Sequence, residues 1–357
     1  LKHFSKFLLL ITSSCFSSDF NVGLDFNLDI KSNSLEINLF DNKWSSIPQH
    51  EKENHVIGDI YFDTHYIKDD IKIGIFRQKN IDISMNSGFI QTLYYSSNDF
   101  STLLNSNNIG SEITSKNIEA NANYFDTKGM YIEKKFDLDS KHTIKTKFKL
   151  YKAKDIQYLN LQGSNDNRFL MSFDYYYSKT NKISKNNNHD NNYSGQGYGL
   201  DLEYIYKNND LYFNFGIFNI NSYINWKSIT HMYYDFDSQT VYKGDDGFNH
   251  IKPFGVGYYK YNIDYKQKIP IKYKVILDYK IDNSISIGDN IDFDKNIMFN
   301  EIYIQKEYIN NLNTKIGYIY ELQNIIFGLK YKTYSIEISN DIKTSNRVIR
   351  VGFKVDL

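Results

Sequence analysis

Apolar and polar residues alternate strictly along much of the chain, and this limits its fold more than any other feature. From Phe20 the even positions Phe20, Val22, Leu24, Phe26, Leu28 and Ile30 are apolar, whereas Asn21, Gly23, Asp25, Asn27 and Asp29 are small or polar. Successive strand side chains point to opposite faces, so this period of two gives one apolar and one polar face. A helix would spread the same residues around its circumference. The pattern recurs at Ile144–Leu150, with Lys145, Lys147 and Lys149 interleaved, and at Tyr198–Tyr206, with Asp201 and Glu203. Another run, Ile271–Ile281, interleaves Lys272, Lys274, Asp278 and Lys280, with Ile276 out of phase.

Each such strand needs an apolar medium on one side. Mean hydropathy is −0.54 and 24% of residues are charged, yet Tyr and Phe number 32 and 25 against 3 Pro. That aromatic content is unlike a disordered chain, and after Phe16 no stretch approaches the ~20 apolar residues of a spanning helix. An antiparallel transmembrane β-barrel reconciles these facts, because its lipid face takes only every second residue. The formal net charge of zero argues against a nucleic-acid partner.

Lys2, His3 and Lys6 precede the apolar run Phe7–Phe16, and Ser17 and Ser18 follow it. This order reads as a cleaved export signal over residues 1–18, leaving 19–357 as a single barrel domain. The one cysteine, Cys15, falls inside that signal. The mature chain is therefore expected to have no thiol chemistry.

Strands counted back from the carboxyl end sort the connections by length. The polar segments 181–195, 222–253 and 282–298 fall on the outer side, and the turns 208–210, 267–270 and 310–311 on the inner side. Long external loops and short periplasmic turns are the rule for outer-membrane barrels. The amino-terminal half is less regular, with 81–117 read as a strand pair or a segment inside the lumen and 156–162 as a doubtful strand. The expected count is about 18 strands, with 16 as the alternative.

The chain closes on Arg350, Gly352, Phe353, Val355 and Leu357, a polar residue and a glycine followed by alternation to the end. This resembles the carboxy-terminal assembly signal of bacterial outer-membrane β-barrel proteins, which most often end on an aromatic residue where this chain has Leu357. The resemblance implies an outer-membrane location and lipids and the barrel-assembly machinery as partners, the last strand being recognised by strand addition.

The strand phases point Asp25, Asp29, Lys145, Lys147, Lys149, Asp201, Glu203, Lys272, Lys274, Asp278 and Lys280 into the lumen. The leading functional expectation is a porin-like channel for small hydrophilic solutes or ions. A closed or plugged barrel with a structural or surface-binding role is the alternative, since any barrel needs a polar interior. A hydrolase is the third reading, for which Gly244–His250 offers two carboxylates and a histidine in ordinary loop composition. No catalytic, cofactor or metal site is expected. Asp235 with Asp237 lacks the rest of a calcium loop, and His50 with His55 lacks ligand spacing. Tyr175, Tyr176, Tyr177, Tyr258, Tyr259 and Tyr261 are assigned to the interfacial girdle.

Overall fold

The computed structural model describes residues 21–32, 53–98, 117–165, 169–183, 192–243, 249–294, 297–308, 311–322, 324–332, 334–341 and 348–356. The first half holds β1 (Asn21–Ser32), β2 (Glu53–Lys68), β3 (Ile71–Asn86), the helix α1 (Ser87–Asn98), β4 (Asn117–Asp137), β5 (His142–Asn165) and β6 (Phe169–Tyr177). Next come β7 (Ser194–Lys207), β8 (Leu211–Lys243), β9 (Asn249–Lys268), β10 (Lys272–Lys280) and β11 (Ile285–Asp294). The chain ends with β12 (Ile297–Tyr308), β13 (Leu312–Ile319), β14 (Asn324–Tyr331), β15 (Tyr334–Asp341) and β16 (Val348–Asp356).

All the described pairings are antiparallel, and they close. β1 pairs with β16, placing Phe26 opposite Phe353, Leu28 opposite Val351 and Asp29 opposite Arg350. The lower part of β5 pairs with β7, β7 with β8, and the lower part of β8 with β10. Of the 16 described strands, 14 complete the ring, and β6 and β9 lie outside it. The barrel class is as expected, but the ring is smaller than 18.

The two departures have a common cause. β5 and β8 are 24 and 33 residues long, more than a membrane crossing uses. Their upper parts join β6 and β9 in a four-stranded flap above β7 and β10. A register shift opposite Asp126/Thr127 skips Lys154, so Ala153 and Ile156 both face inward. The run 156–162 belongs to β5. In β8, positive φ at Asn219, Asn221 and Ser228 marks the bends.

Other expectations change with this geometry. The segment 282–298 is no external loop, because it contains most of the tight turn 281–284 and the whole of β11. Most of 222–253 is strand, in β8 and β9. The turn 267–270 lies at the opposite end from 208–210, since β9 never reaches the lower rim. The segment 81–117 resolves into the end of β3 and α1, with 99–116 outside the described residues.

The outer face is apolar and uncovered. Ile75, Ile304, Ile316, Phe327 and Ile338 are each 55–59% exposed. Patches of this extent on a closed sheet require a lipid environment. Near the upper rim, Asn86 caps α1 by accepting the Phe89 N–H at 2.9 Å. Ile90 of α1 then buries itself against Met85, Ile118 and Ala120. Tyr175 and Tyr177 belong to the same buried cluster, so they leave the girdle, while Tyr258, Tyr259 and Tyr261 of β9 remain exposed.

Candidate functional site

Inward side chains come from every second position of the ring, and charge dominates them at mid-height. On the β16 side, Arg350 donates from Nε to Asp29 at 3.2 Å and from Nη1 to Glu337 at 3.2 Å and to Glu301. Lys315 lies 2.6 Å from Glu301 and 2.8 Å from Glu337. Lys31 lies 3.1 Å from Asp29 and also donates to Asp292. That second contact joins β1 to β11, six strands away around the ring one way and eight the other. Lysine side chains therefore tie distant walls together.

The opposite wall carries separate pairs. Lys149 and Asp201 are 2.8 Å apart, Lys272 and Asp294 2.8 Å, and Lys147 and Glu133 2.9 Å. Asn219 reinforces the first pair, receiving a Lys149 hydrogen bond at 3.1 Å and donating its own N–H to Asp201 at 2.9 Å. Between the walls lies a cavity of about 320 Å³, lined by charged groups and by Tyr61, Phe218 and Phe299. Asp59 enters it with the Gln78 amide donating to its carboxylate at 2.9 Å.

Above the cavity the inner face turns apolar. Phe125, Ile156, Ile224, Trp226 and Ile229 form a fully buried cluster, and the Trp226 indole donates to Gln267 at 2.8 Å. On the flap beyond it, Tyr176 stacks between His231 and Tyr265 with ring centroids 4.3 and 4.2 Å away. Asp174 holds the His231 ring at 2.7 Å. The stack packs against the Trp226 cluster.

The expected lumen residues divide into two groups. Asp29, Lys147, Lys149, Asp201, Lys272 and Lys274 line the cavity together. Asp25 sits lower, beside Lys72; Glu203 accepts a hydrogen bond from Asn214 and stands opposite Lys145; Asp278 accepts one from Tyr303; Lys280 lies by the 281–284 turn. Lys31, Asp59, Asp292 and Glu301 were not foreseen. The first two continue readable alternations, whereas Asp292 lay in a segment read as loop.

Of the terminal signal residues, Val351, Phe353 and Val355 alternate with Arg350, Gly352 and Lys354, and Phe353 meets Tyr334 at 4.9 Å. Leu357 is outside the described residues, as are Gly244–Phe248 of the hydrolase candidate and His50. His55 is buried on β2.

No protein-family model matches the chain, and no curated protein matches it. Among solved structures, it is similar to a TodX deltaS2S3 mutant monoaromatic hydrocarbon channel at 12% identity and TM-score 0.44, covering 96% of this chain and 89% of that one. It is similar also to the Pseudomonas putida toluene transporter TodX, at 13% identity and TM-score 0.40 over 97% and 89% of the chains. The Ralstonia pickettii toluene transporter TbuX gives 7% and 0.33 over 96% and 89%. At these levels nothing about solute or residue role transfers.

Proposed function

We propose that this protein is an outer-membrane channel for small hydrophilic solutes, shut at mid-height by its own ion pairs in the conformation described. The observation that carries the reading is the charged cavity enclosed by a barrel with an uncovered apolar exterior. A hydrophilic solute entering that cavity meets groups able to replace its water. Passage requires contacts such as Lys31–Asp292 to part. Those same contacts, with the apolar cluster around Trp226, favour a second reading as a permanently closed scaffold.

Planar-bilayer recording on refolded protein separates the two. A channel gives discrete conductance steps, and replacing the half-exposed Lys274 with Gln removes positive charge from the cavity wall and shifts selectivity toward cations. Lys149 is left alone, because it is buried against Asp201 and its loss would strand that carboxylate. A folded barrel that stays without conductance at every applied voltage, also after Lys31→Gln releases the Lys31–Asp292 contact, favours the scaffold instead.

A further inference from the structure

The lower half of β2 turns Tyr61, Asp63 and His65 toward the lumen, and the register sets Asp25 of β1 opposite Asp63. His65 Nδ1 lies 2.6 Å from Asp63 Oδ1 and 3.9 Å from Asp25 Oδ2. One donor atom from each of these three side chains lies within 4.8 Å of the other two. Asp63 and His65 are only 1% and 3% exposed.

Charge and hydrogen bonding are both out of balance here. Lys72 approaches Asp25 Oδ2 at 3.2 Å, while Asp25 Oδ1 is buried with no hydrogen-bond partner. The Lys147 ammonium nearby is committed to Glu133. The hydroxyls of Tyr61 and Tyr131 are buried and turned toward Asp63, and Tyr131 is 2% exposed. Tyr131 lies over Gly74, the residue paired with His65, and a Cβ at position 74 would come within 2.8 Å of its hydroxyl. Glycine here lets the ring reach toward Asp63. A buried carboxylate oxygen left unsatisfied beside a second carboxylate calls for a cation or for water.

We propose that Asp25, Asp63 and His65 bind one first-row divalent metal ion, such as Zn²⁺ or Mn²⁺, on the lumen wall. Two hard carboxylate oxygens and one imidazole nitrogen suit such ions, whereas Ca²⁺ and Mg²⁺ prefer all-oxygen shells. Asp25 faces His65 through Oδ2, the oxygen that also meets Lys72, so a bound ion would share that carboxylate with the ammonium, and the two tyrosine hydroxyls turn toward Asp63 from behind. The site stands or falls independently of whether the lumen conducts.

The test uses the full chain refolded in detergent, stripped with chelator and titrated with Zn²⁺ by calorimetry and with Mn²⁺ by electron paramagnetic resonance. The unchanged protein should bind one ion per chain. His65→Ala and Asp63→Asn should each weaken binding about tenfold or more, and His142→Ala, near the lower turns, should leave it unchanged. Folding of each variant is checked by β-type circular dichroism and resistance to unfolding in dodecyl sulfate. If Asp63→Asn does not fold, His65→Gln carries the comparison. Absence of saturable binding, or unchanged binding in folded His65→Ala, overturns the proposal.

Discussion

Arg350 shows how much one inward residue can hold. Its guanidinium contacts Asp29, Glu301 and Glu337, on three different strands, with its side chain 13% exposed. Glu301 is 1% exposed and cannot turn to solvent. Removing one partner of a buried pair costs about 3–5 kcal/mol, because the remaining charge stays desolvated. For Arg350→Ala we expect a loss of about 3 kcal/mol, the lower end, since Lys31 and Lys315 still face the acids. Urea unfolding in micelles, followed by tryptophan fluorescence, measures it. Arg350→Lys should recover part of the loss, lacking the planar fork that serves several oxygens at once. An unchanged midpoint for Arg350→Ala would show that the network adds nothing. The sequence marked Arg350 as part of a terminal signal and left its partners unread, because strand phase fixes direction and says nothing of which distant walls meet.

Three hairpins at the lower end share one turn device. Asp139 accepts the N–H groups of Lys141 and His142 at 2.7 and 2.8 Å, and Asn208 those of Asp210 and Leu211 at 2.9 and 2.6 Å. Asp282 accepts those of Ser284 and Ile285, both at 2.7 Å. In each, a side-chain oxygen replaces a backbone acceptor and closes the turn. The N–H of Ser284 and then that of Ile285 hold the Asp282 carboxyl below the ordinary aspartate range. A depressed folded value means that the contribution to turn stability is present above the unfolded value. It is lost as pH falls through the folded value, below about pH 4. The Ile285 amide should therefore report a titration with a midpoint below that of free aspartate. Asp282→Asn should keep the turn, as Asn208 does, and abolish the titration. Asp282→Ala should speed hydrogen exchange at Ser284 and Ile285; an unshifted midpoint in the unchanged protein would refute the assignment. Asn208–Asp210 was readable as a turn, but Asp282–Ser284 was absorbed into a long polar segment. Alternation in β11 is masked there by Gly288, Asp289 and Asn290, which carry little hydrophobic signal.

At the scale of the whole molecule, alternation was enough to specify an antiparallel barrel with a polar interior. It could not distinguish strands that cross the membrane from strands that rise above it, since β6 and β9 alternate like the others. The bulge at Lys154 and the bends at Asn219, Asn221 and Ser228 decide that distinction, and bulges carry no strong composition. The seam is the most non-local feature of the fold: β1 pairs with β16 from Gly23–Asp356 to Lys31–Val348. Loop-closure entropy makes such a contact late to form, and until it does β1 and β16 present open edges. Outward Phe26 against Phe353 and inward Asp29 against Arg350 fix the register on both faces, because a one-residue slip would send the charges into lipid. Deleting 348–357 should therefore leave β15 and β1 each with one open edge and prevent membrane insertion, and deleting 21–32 should fail in the same way. By contrast, Leu357→Phe should be tolerated. Protease protection and heat-dependent gel mobility after assembly into liposomes give the readout. If the chain lacking 21–32 inserts while the chain lacking 348–357 does not, the last strand acts only as a recognition element, and the seam described here is not what closes the barrel.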